Sequence, residues 1–322
     1  GRGVTPCHRR RALQFGAAAA LGLALPRLRA EGGPQRVEGF DIDGHDARRE
    51  RDVPVRLYLP AQTTPVPLVV FSHGLGGSRF GYSWFGRHMA EQGIASLHVQ
   101  HVGSDRQLWQ GSALGLVGRL QAAAQDKEAI ARVHDLRFAL DQLLAGPLGA
   151  RIDTKRMLAA GHSYGANTTL LATGARVPRE GGVVELRDAR LRAAIVMSAP
   201  PFYGESDPKP ILSHVTVPSL HVTCTEDVIR IPGYWSGAED RLKVFDATGS
   251  ARKWLAVYEG GSHSMFTDRT QTGGATLNPQ VKAATQALAT AFVHEVFDGD
   301  TSDAAEVSSP PLLSAGAARD KA

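Results

Sequence analysis

The pentapeptide Gly161-His162-Ser163-Tyr164-Gly165 is where the chain most plainly offers chemistry. A serine with a glycine two residues to each side fits a sharp, strained turn between a strand and a helix, which holds the hydroxyl out for nucleophilic attack. Larger residues at Gly161 or Gly165 would collide with the neighbouring strand and helix. The flanks agree, with Arg156-Met-Leu-Ala-Ala160 leading in and Ala166-Asn-Thr-Thr-Leu-Leu-Ala172 leading out. A serine hydroxyl at neutral pH is a weak nucleophile, so it needs a general base, and the base needs a group to orient it.

Where a serine sits on such a turn, the acid and then the histidine follow it along the chain. His263, within Gly260-Gly-Ser-His-Ser-Met-Phe266, lies on a glycine-rich loop after a predicted strand, whereas His294 falls inside a predicted helix. The acid is expected after the penultimate strand, where Glu226 and Asp227 adjoin. Asp227 is preferred because families with such a strand–turn–helix nucleophile usually put the acid late in this turn, just before an apolar residue; Glu226 is the alternative. Two backbone N–H groups should face the developing oxyanion, one from Tyr164 and one from Leu75 in Ser72-His73-Gly74-Leu75-Gly76-Gly77. His73 is read as a support for that loop. Trp109 and Trp235, in predicted loops near the strand ends, are candidates for lining an acyl or alcohol pocket, with ordinary packing as the alternative. His98 and His101 have odd spacing, so on a strand they face opposite ways and make a poor metal pair. No metal site and no cofactor is expected.

These residues need a scaffold, and the apolar pattern supplies one. Val37 to Ile42, Val53 to Leu59, Pro67 to Phe71, Ala95 to Val99, Asp153 to Ala160, Ala193 to Met197, Pro218 to Val222 and Lys253 to Val257 read as strands. Tyr82 to Gln92, Ala122 to Leu144, Tyr164 to Thr173 and Pro279 to Phe297 read as helices, and the polar segment from Gly103 to Gly115 lies over the mouth of the site. Alternating strands and helices predict an α/β fold, a mostly parallel central sheet flanked by helices on both faces. Every motif above falls at a predicted strand end, where such sheets carry their sites.

Composition narrows the partners. The chain has 322 residues and a formal charge of +4, but residues 1–30 hold six arginines and no acid. Removing those six from 36 basic residues leaves 30 against 32 acidic ones, a net of −2, which gives no case for nucleic-acid binding. Arg9-Arg10-Arg11 followed by the small apolar run Gly16 to Leu25 resembles a twin-arginine export signal, too short to span a bilayer. The expected organisation is an export signal over 1–30, a catalytic domain over 31–298 and a disordered tail over 299–322, with an exported, periplasmic or secreted protein as the result. Only Cys7 and Cys224 are present, and loss of the signal leaves one cysteine and no intramolecular disulfide.

Taken together, Phe71-Ser-His-Gly-Leu-Gly-Gly77, Gly161-His-Ser-Tyr-Gly165, Thr225-Glu-Asp227 and Gly261-Ser-His263 resemble a group within the α/β-hydrolase superfamily. The chain is similar, over roughly residues 37–297, to bacterial predicted dienelactone hydrolases and to acetylhydrolases related to platelet-activating-factor acetylhydrolase. The resemblance implies a cofactor-free esterase acting on a small-molecule ester with a short or medium acyl group. Two departures count. Dienelactone hydrolases use a cysteine where this chain has Ser163. The mammalian acetylhydrolases place their acid after the strand that follows the nucleophile helix, and here that place reads Val196-Met-Ser198-Ala, without a carboxylate. The expectation is therefore a broad serine carboxylic-ester hydrolase. A lipase or polyester hydrolase, a peptidase or amidase on the same residues, and a non-catalytic binding protein are the competing readings.

Overall fold

The computed structural model describes residues 12–15, 33–268, 274–299 and 313–314, with side chains over 33–268 and 278–299. Its strands, in chain order, are β1 (Ala12–Phe15), β2 (Val37–Asp46), β3 (Arg51–Pro60), β4 (Val66–Ser72), β5 (Ala95–Val99), β6 (Ile152–His162), β7 (Arg176–Arg179), β8 (Gly182–Glu185), β9 (Ala194–Met197), β10 (Ser219–Glu226), β11 (Lys253–Ser262) and β12 (Leu313–Ser314). Its α-helices are α1 (Ser83–Glu91), α2 (Leu116–Ala123), α3 (Asp126–Ala145), α4 (Tyr164–Thr173), α5 (Lys209–Leu212), α6 (Glu239–Ala247) and α7 (Gly274–Asp298).

The main sheet runs β12-β1-β11-β10-β9-β6-β4-β5-β3-β2. From β1 to β5 in that order every neighbour is parallel, while β3 and β2 add an antiparallel edge and β12 pairs antiparallel with β1 at the other edge. Every residue of β4 is buried, as a strand covered on both faces requires. Its side chains alternate between two cores. Val66, Leu68 and Val70 join the cluster that holds Leu136 and Leu140 of α3 and Leu170 of α4. Val69 and Phe71 join Phe85 and Met89 of α1 and Phe292 of α7 on the other face. This is the mostly parallel, doubly covered sheet that the alternation of elements predicts, in the α/β-hydrolase arrangement that the resemblance implies.

Some expectations need correction. The single helix expected from Ala122 to Leu144 is two helices, α2 and α3, broken at Gln125, whose backbone is extended. The alanines at 122–124 suit a helix in either direction, so periodicity carries no mark of the break. Asp126 and Glu128 in the first turn of α3 favour a fresh amino terminus there. The β7–β8 hairpin was not anticipated. The export-signal expectation falls outside the described residues apart from β1, and the tail expectation outside them apart from Gly299 and β12. No helix among the described residues is long and apolar enough to cross a membrane.

Carboxyl ends of neighbouring strands bring the site together. β4 ends in the 73–77 loop, β6 runs into Ser163, β10 into Asp227 and β11 into His263. Strand order sets β4, β6, β9, β10 and β11 side by side, so segments up to 190 positions apart in sequence share one edge of the sheet.

Candidate active site

Ser163 has φ +57° and ψ −119°, a conformation that L-residues adopt only where the surroundings enforce it. The enforcement is visible in two glycines. A Cβ on Gly161 would run into the carbonyl of Gly165, and one on Gly165 into the carbonyl of Ser72. The turn is thus pressed between its own helix and the end of β4, and the hydroxyl projects from its apex.

The Ser163 hydroxyl lies 2.6 Å from His263 Nε2. His263 Nδ1 lies 2.7 Å from Asp227 Oδ1. Because a carboxylate only accepts, Nδ1 carries the proton and Nε2 is left to accept from Ser163. Asp227 is wholly buried. Burial opposes its ionisation, but the hydrogen bond from His263, the charge of Arg241 at 3.4 Å and nearby hydroxyls hold its carboxyl well below the ordinary carboxylate range. Thr223 donates to its second oxygen at 2.8 Å. Glu226 is exposed, one residue away, and Asp227 is the acid that the geometry brings to His263.

On the other side of Ser163 lies the 73–77 loop. The position a Gly74 Cβ would occupy is 3.4 Å from Ser163 Cβ, which puts this loop against Ser163. Among the described residues, neither the Leu75 nor the Tyr164 backbone N–H has an intramolecular acceptor. Tyr164 opens α4, so its amide belongs to the unpaired first turn, at the positive end of the helix dipole. His73 is buried and kept neutral by burial and by the charge of Arg132. Its Nε2 accepts from the His101 amide at 2.9 Å, so Nδ1–H donates to the Gly74 carbonyl at 2.6 Å. His73 is a loop support, as its place in the sequence suggested.

The two sides are joined by residues the sequence did not flag. His162 Nε2 lies 2.7 Å from the carbonyl of His263, and its Nδ1 lies 2.8 Å from the Tyr82 hydroxyl. Burial holds His162 neutral, its pKa pushed down to about 3. A carbonyl only accepts, so Nε2–H donates to it, Tyr82 donates to Nδ1, and Tyr82 in turn accepts from the Gly74 amide at 3.1 Å. A chain of three hydrogen bonds therefore runs from the 73–77 loop to the backbone of His263. The only sequence cue was a histidine directly before Ser163.

Trp109 is half exposed, with Nε1 donating to the Gly76 carbonyl at 3.0 Å. Its ring covers Gly76, whose φ of +80° and lack of a side chain allow that contact. Trp235 is exposed and borders a cleft with Phe202, Tyr203 and Lys243. A second recess, sharing Phe202 with that cleft, borders Tyr164 and Asn167 of α4, with further walls of Ala129, Ile130, Leu171, Val177 and Val184. Its charged residues, Arg179 and Asp126, are paired with each other at 2.7 Å. The recess is thus an apolar one beside α4, built partly by the β7–β8 hairpin. His98 and His101 have separate surroundings, His98 on Ser96 and His101 between Asp135 and Ser72. Among the described residues no group of three metal-ligating side chains occurs.

Residues 52–108 match the family model for platelet-activating factor acetylhydrolase, isoform II. No curated protein matches the chain in sequence. Among solved structures, a ferulic acid esterase from Streptomyces cinnamoneus is similar at 21% identity and TM-score 0.57, over 88% of this chain and 94% of that one. An acylaminoacyl peptidase from Pyrococcus horikoshii is similar at 15% identity and TM-score 0.56, over 83% of this chain. This chain spans 42% of that peptidase. A cold-adapted esterase from an Arctic intertidal metagenomic library aligns over 79% of this chain and 97% of its own at 17% identity and TM-score 0.49. At these identities the shared feature is the fold.

Proposed function

We propose that this chain is a serine carboxylic-ester hydrolase working through a Ser163–His263–Asp227 triad and an acyl-enzyme. One observation carries the reading: a serine at φ +57°, 2.6 Å from a histidine that is itself 2.7 Å from a buried carboxylate. The partial match to the acetylhydrolase family model supports an ester as the bond attacked.

In this reaction Ser163 Oγ attacks the ester carbonyl carbon while His263 Nε2 takes its proton. The Leu75 and Tyr164 amides hold the negative oxygen of the tetrahedral intermediate. Asp227 orients the imidazole and stabilises its cation without taking the proton. The intermediate collapses as His263 returns the proton to the departing alcohol. Water, deprotonated by His263, then attacks the acyl-enzyme, and the carboxylic acid leaves as Ser163 Oγ recovers its proton. The apolar recess beside Tyr164 receives the acyl group in this scheme. Export through the amino-terminal arginines is part of the same proposal, and fractionation of cells expressing the tagged chain tests it.

The test is a series of p-nitrophenyl esters of increasing acyl length on the purified protein, with amides of matched acyl groups in parallel. Turnover of esters well above amides, abolished in Ser163→Ala, is expected. Narrowing the recess with Val184→Trp should shift the preference to shorter chains. Amide turnover equal to ester turnover would replace this reading with a peptidase or amidase.

A further inference from the structure

We propose that Arg132 is a positioning residue for the oxyanion site, fixing and polarising the Gly74–Leu75 peptide so that the Leu75 N–H faces the oxygen of the attacked carbonyl. The proposal rests on the ester-hydrolase reading above. Arg132 lies in the middle of α3 and is fully buried. Its Nη2 donates to the carbonyl of His73 at 2.9 Å and approaches that of Gly74 at 3.4 Å. The Gly74 carbonyl also accepts from His73 Nδ1 and, at 3.1 Å, from the Gly77 amide. A peptide unit is planar and trans, so its C=O and N–H point to opposite sides. Drawing the Gly74 carbonyl toward Arg132 therefore turns the Leu75 N–H of the same unit the other way, and that amide has no acceptor of its own among the described residues.

Arg132 reaches the second donor as well. Its guanidinium stacks over the Tyr164 ring at 4.2 Å and donates to Thr168 Oγ1 at 3.1 Å. Thr168 in turn donates to the Tyr164 carbonyl at 3.1 Å. One side chain thus holds both segments that supply the oxyanion amides.

The electrostatics point the same way. All of Arg132's hydrogen bonds go to neutral acceptors, and among the described residues no carboxylate lies within 4.0 Å of it. Glu128 is reached only through Ser104, whose hydroxyl accepts from Arg132 at 2.8 Å and donates to Glu128 at 2.8 Å. A buried cation without a direct counter-ion costs folding free energy. Behind the carbonyl of an oxyanion-binding peptide the same cation polarises that peptide and attracts the charge that forms in the transition state.

The test measures kcat per active site, with sites counted from the p-nitrophenol burst, alongside KM and affinity for a trifluoromethyl ketone that forms a tetrahedral adduct on the serine. Arg132→Met should lower kcat per titrated site roughly 10- to 100-fold, less than the about 10²–10³ typical for loss of an oxyanion donor itself. KM should stay within about threefold, and ketone affinity should fall by the same factor as kcat/KM. Arg132→Lys, which keeps the charge without the planar fork, should recover part of both, and it carries the test if Arg132→Met does not fold. A merely structural role would lower the number of titrated sites and leave each remaining site at full rate. That result, a loss confined to KM, or unchanged ketone affinity would overturn the proposal. A wild-type protein with neither burst nor turnover would remove the ester-hydrolase reading itself, whereas a wild-type burst with unaltered Arg132 variants would remove this inference alone.

Discussion

The two sides of Ser163 are built differently. On the acid–base side, His263 and Asp227 stand on turns directly after β11 and β10 and meet Ser163 and each other through short side-chain contacts, with Thr223 and Arg241 beside Asp227. On the oxyanion side, the 73–77 loop rests on a buried polar cluster drawn from β3, α3 and the segment after β5. Arg51 bridges Glu128 and Asp135, His101 joins Asp135 to Ser72, and Arg132 holds the loop carbonyls. In the proposed reaction two side chains do the chemistry on one side, and the other side is a backbone held in place from behind. A proton shuttle needs particular functional groups at particular atoms. A hole made of amides needs only that peptides be aimed correctly, and any rigid support can aim them.

The largest effect that would sharpen this contrast is on the acid. Asp227→Asn should lower kcat by roughly 10³–10⁴-fold, because the amide NH2 can donate to Nδ1 and so favours the wrong tautomer of His263, with the proton on Nε2. Glu226→Gln, exposed and off the axis, should stay within about twofold. A steady-state comparison of both variants on one ester checks this, and a loss in the glutamate variant equal to that in the aspartate variant would break the picture of a single acid.

A smaller effect is expected where the two sides meet. Tyr82→Phe removes the hydroxyl between the Gly74 amide and His162, leaving two buried polar groups without that partner. Stability should drop by about 2 kcal/mol, in line with unsatisfied buried groups. kcat should fall roughly 3- to 10-fold with KM little changed, as the loop and the His263 backbone lose their common tether. Denaturant melts and steady-state kinetics on the same sample separate the two. Full activity with lowered stability would mean that the two sides are set independently.

The smallest effect on activity is a dependence of stability on pH. Burial, the leading cause, pushes the pKa values of His98, His162 and His221 down to about 3 from an ordinary 6.5. Between those values the unfolded chain binds protons that the folded chain does not, so stability is full above about pH 6.5 and is lost as pH falls toward 3. The slope is roughly 1.4 kcal/mol per pH unit for each such histidine. His221, beneath Phe245 and hydrogen-bonded to Ser219, is remote from Ser163 in its contacts. His221→Gln should flatten the slope of melting temperature against pH without altering kcat. An unchanged slope would show that His221 is not held neutral by its burial.

The same contrast explains what could be read in the sequence. Ser163, His263, Asp227 and the 72–77 segment are legible because each is a local turn chemistry at a strand end, marked by glycines and by the apolar run before it. The strand–helix alternation gave the sheet for the same reason. Beyond His73, the support of the oxyanion side was not legible. Glu128, Arg132 and Asp135 are charged positions on one helix, spaced as a solvated stripe would be, and only the tertiary packing against β3 and the 73–77 loop turns them inward. Likewise, Tyr82 and His162 are 80 positions apart, and nothing local marks them as partners. The β7–β8 hairpin shapes the recess through contacts with α3 and the 200–205 segment, such as Arg179 on Asp126 and Glu205, which no periodicity encodes.

The most direct measurement is the mass of the protein during turnover. Acid quenching within the first turnovers of p-nitrophenyl acetate, followed by peptide mapping, should find one acetyl group per chain, on Ser163, and none in Ser163→Ala, whose turnover should fall by roughly 10⁴- to 10⁶-fold. Hydrolysis that proceeds undiminished in Ser163→Ala, or an acetyl group that accumulates on another residue at the rate of turnover, would contradict the account.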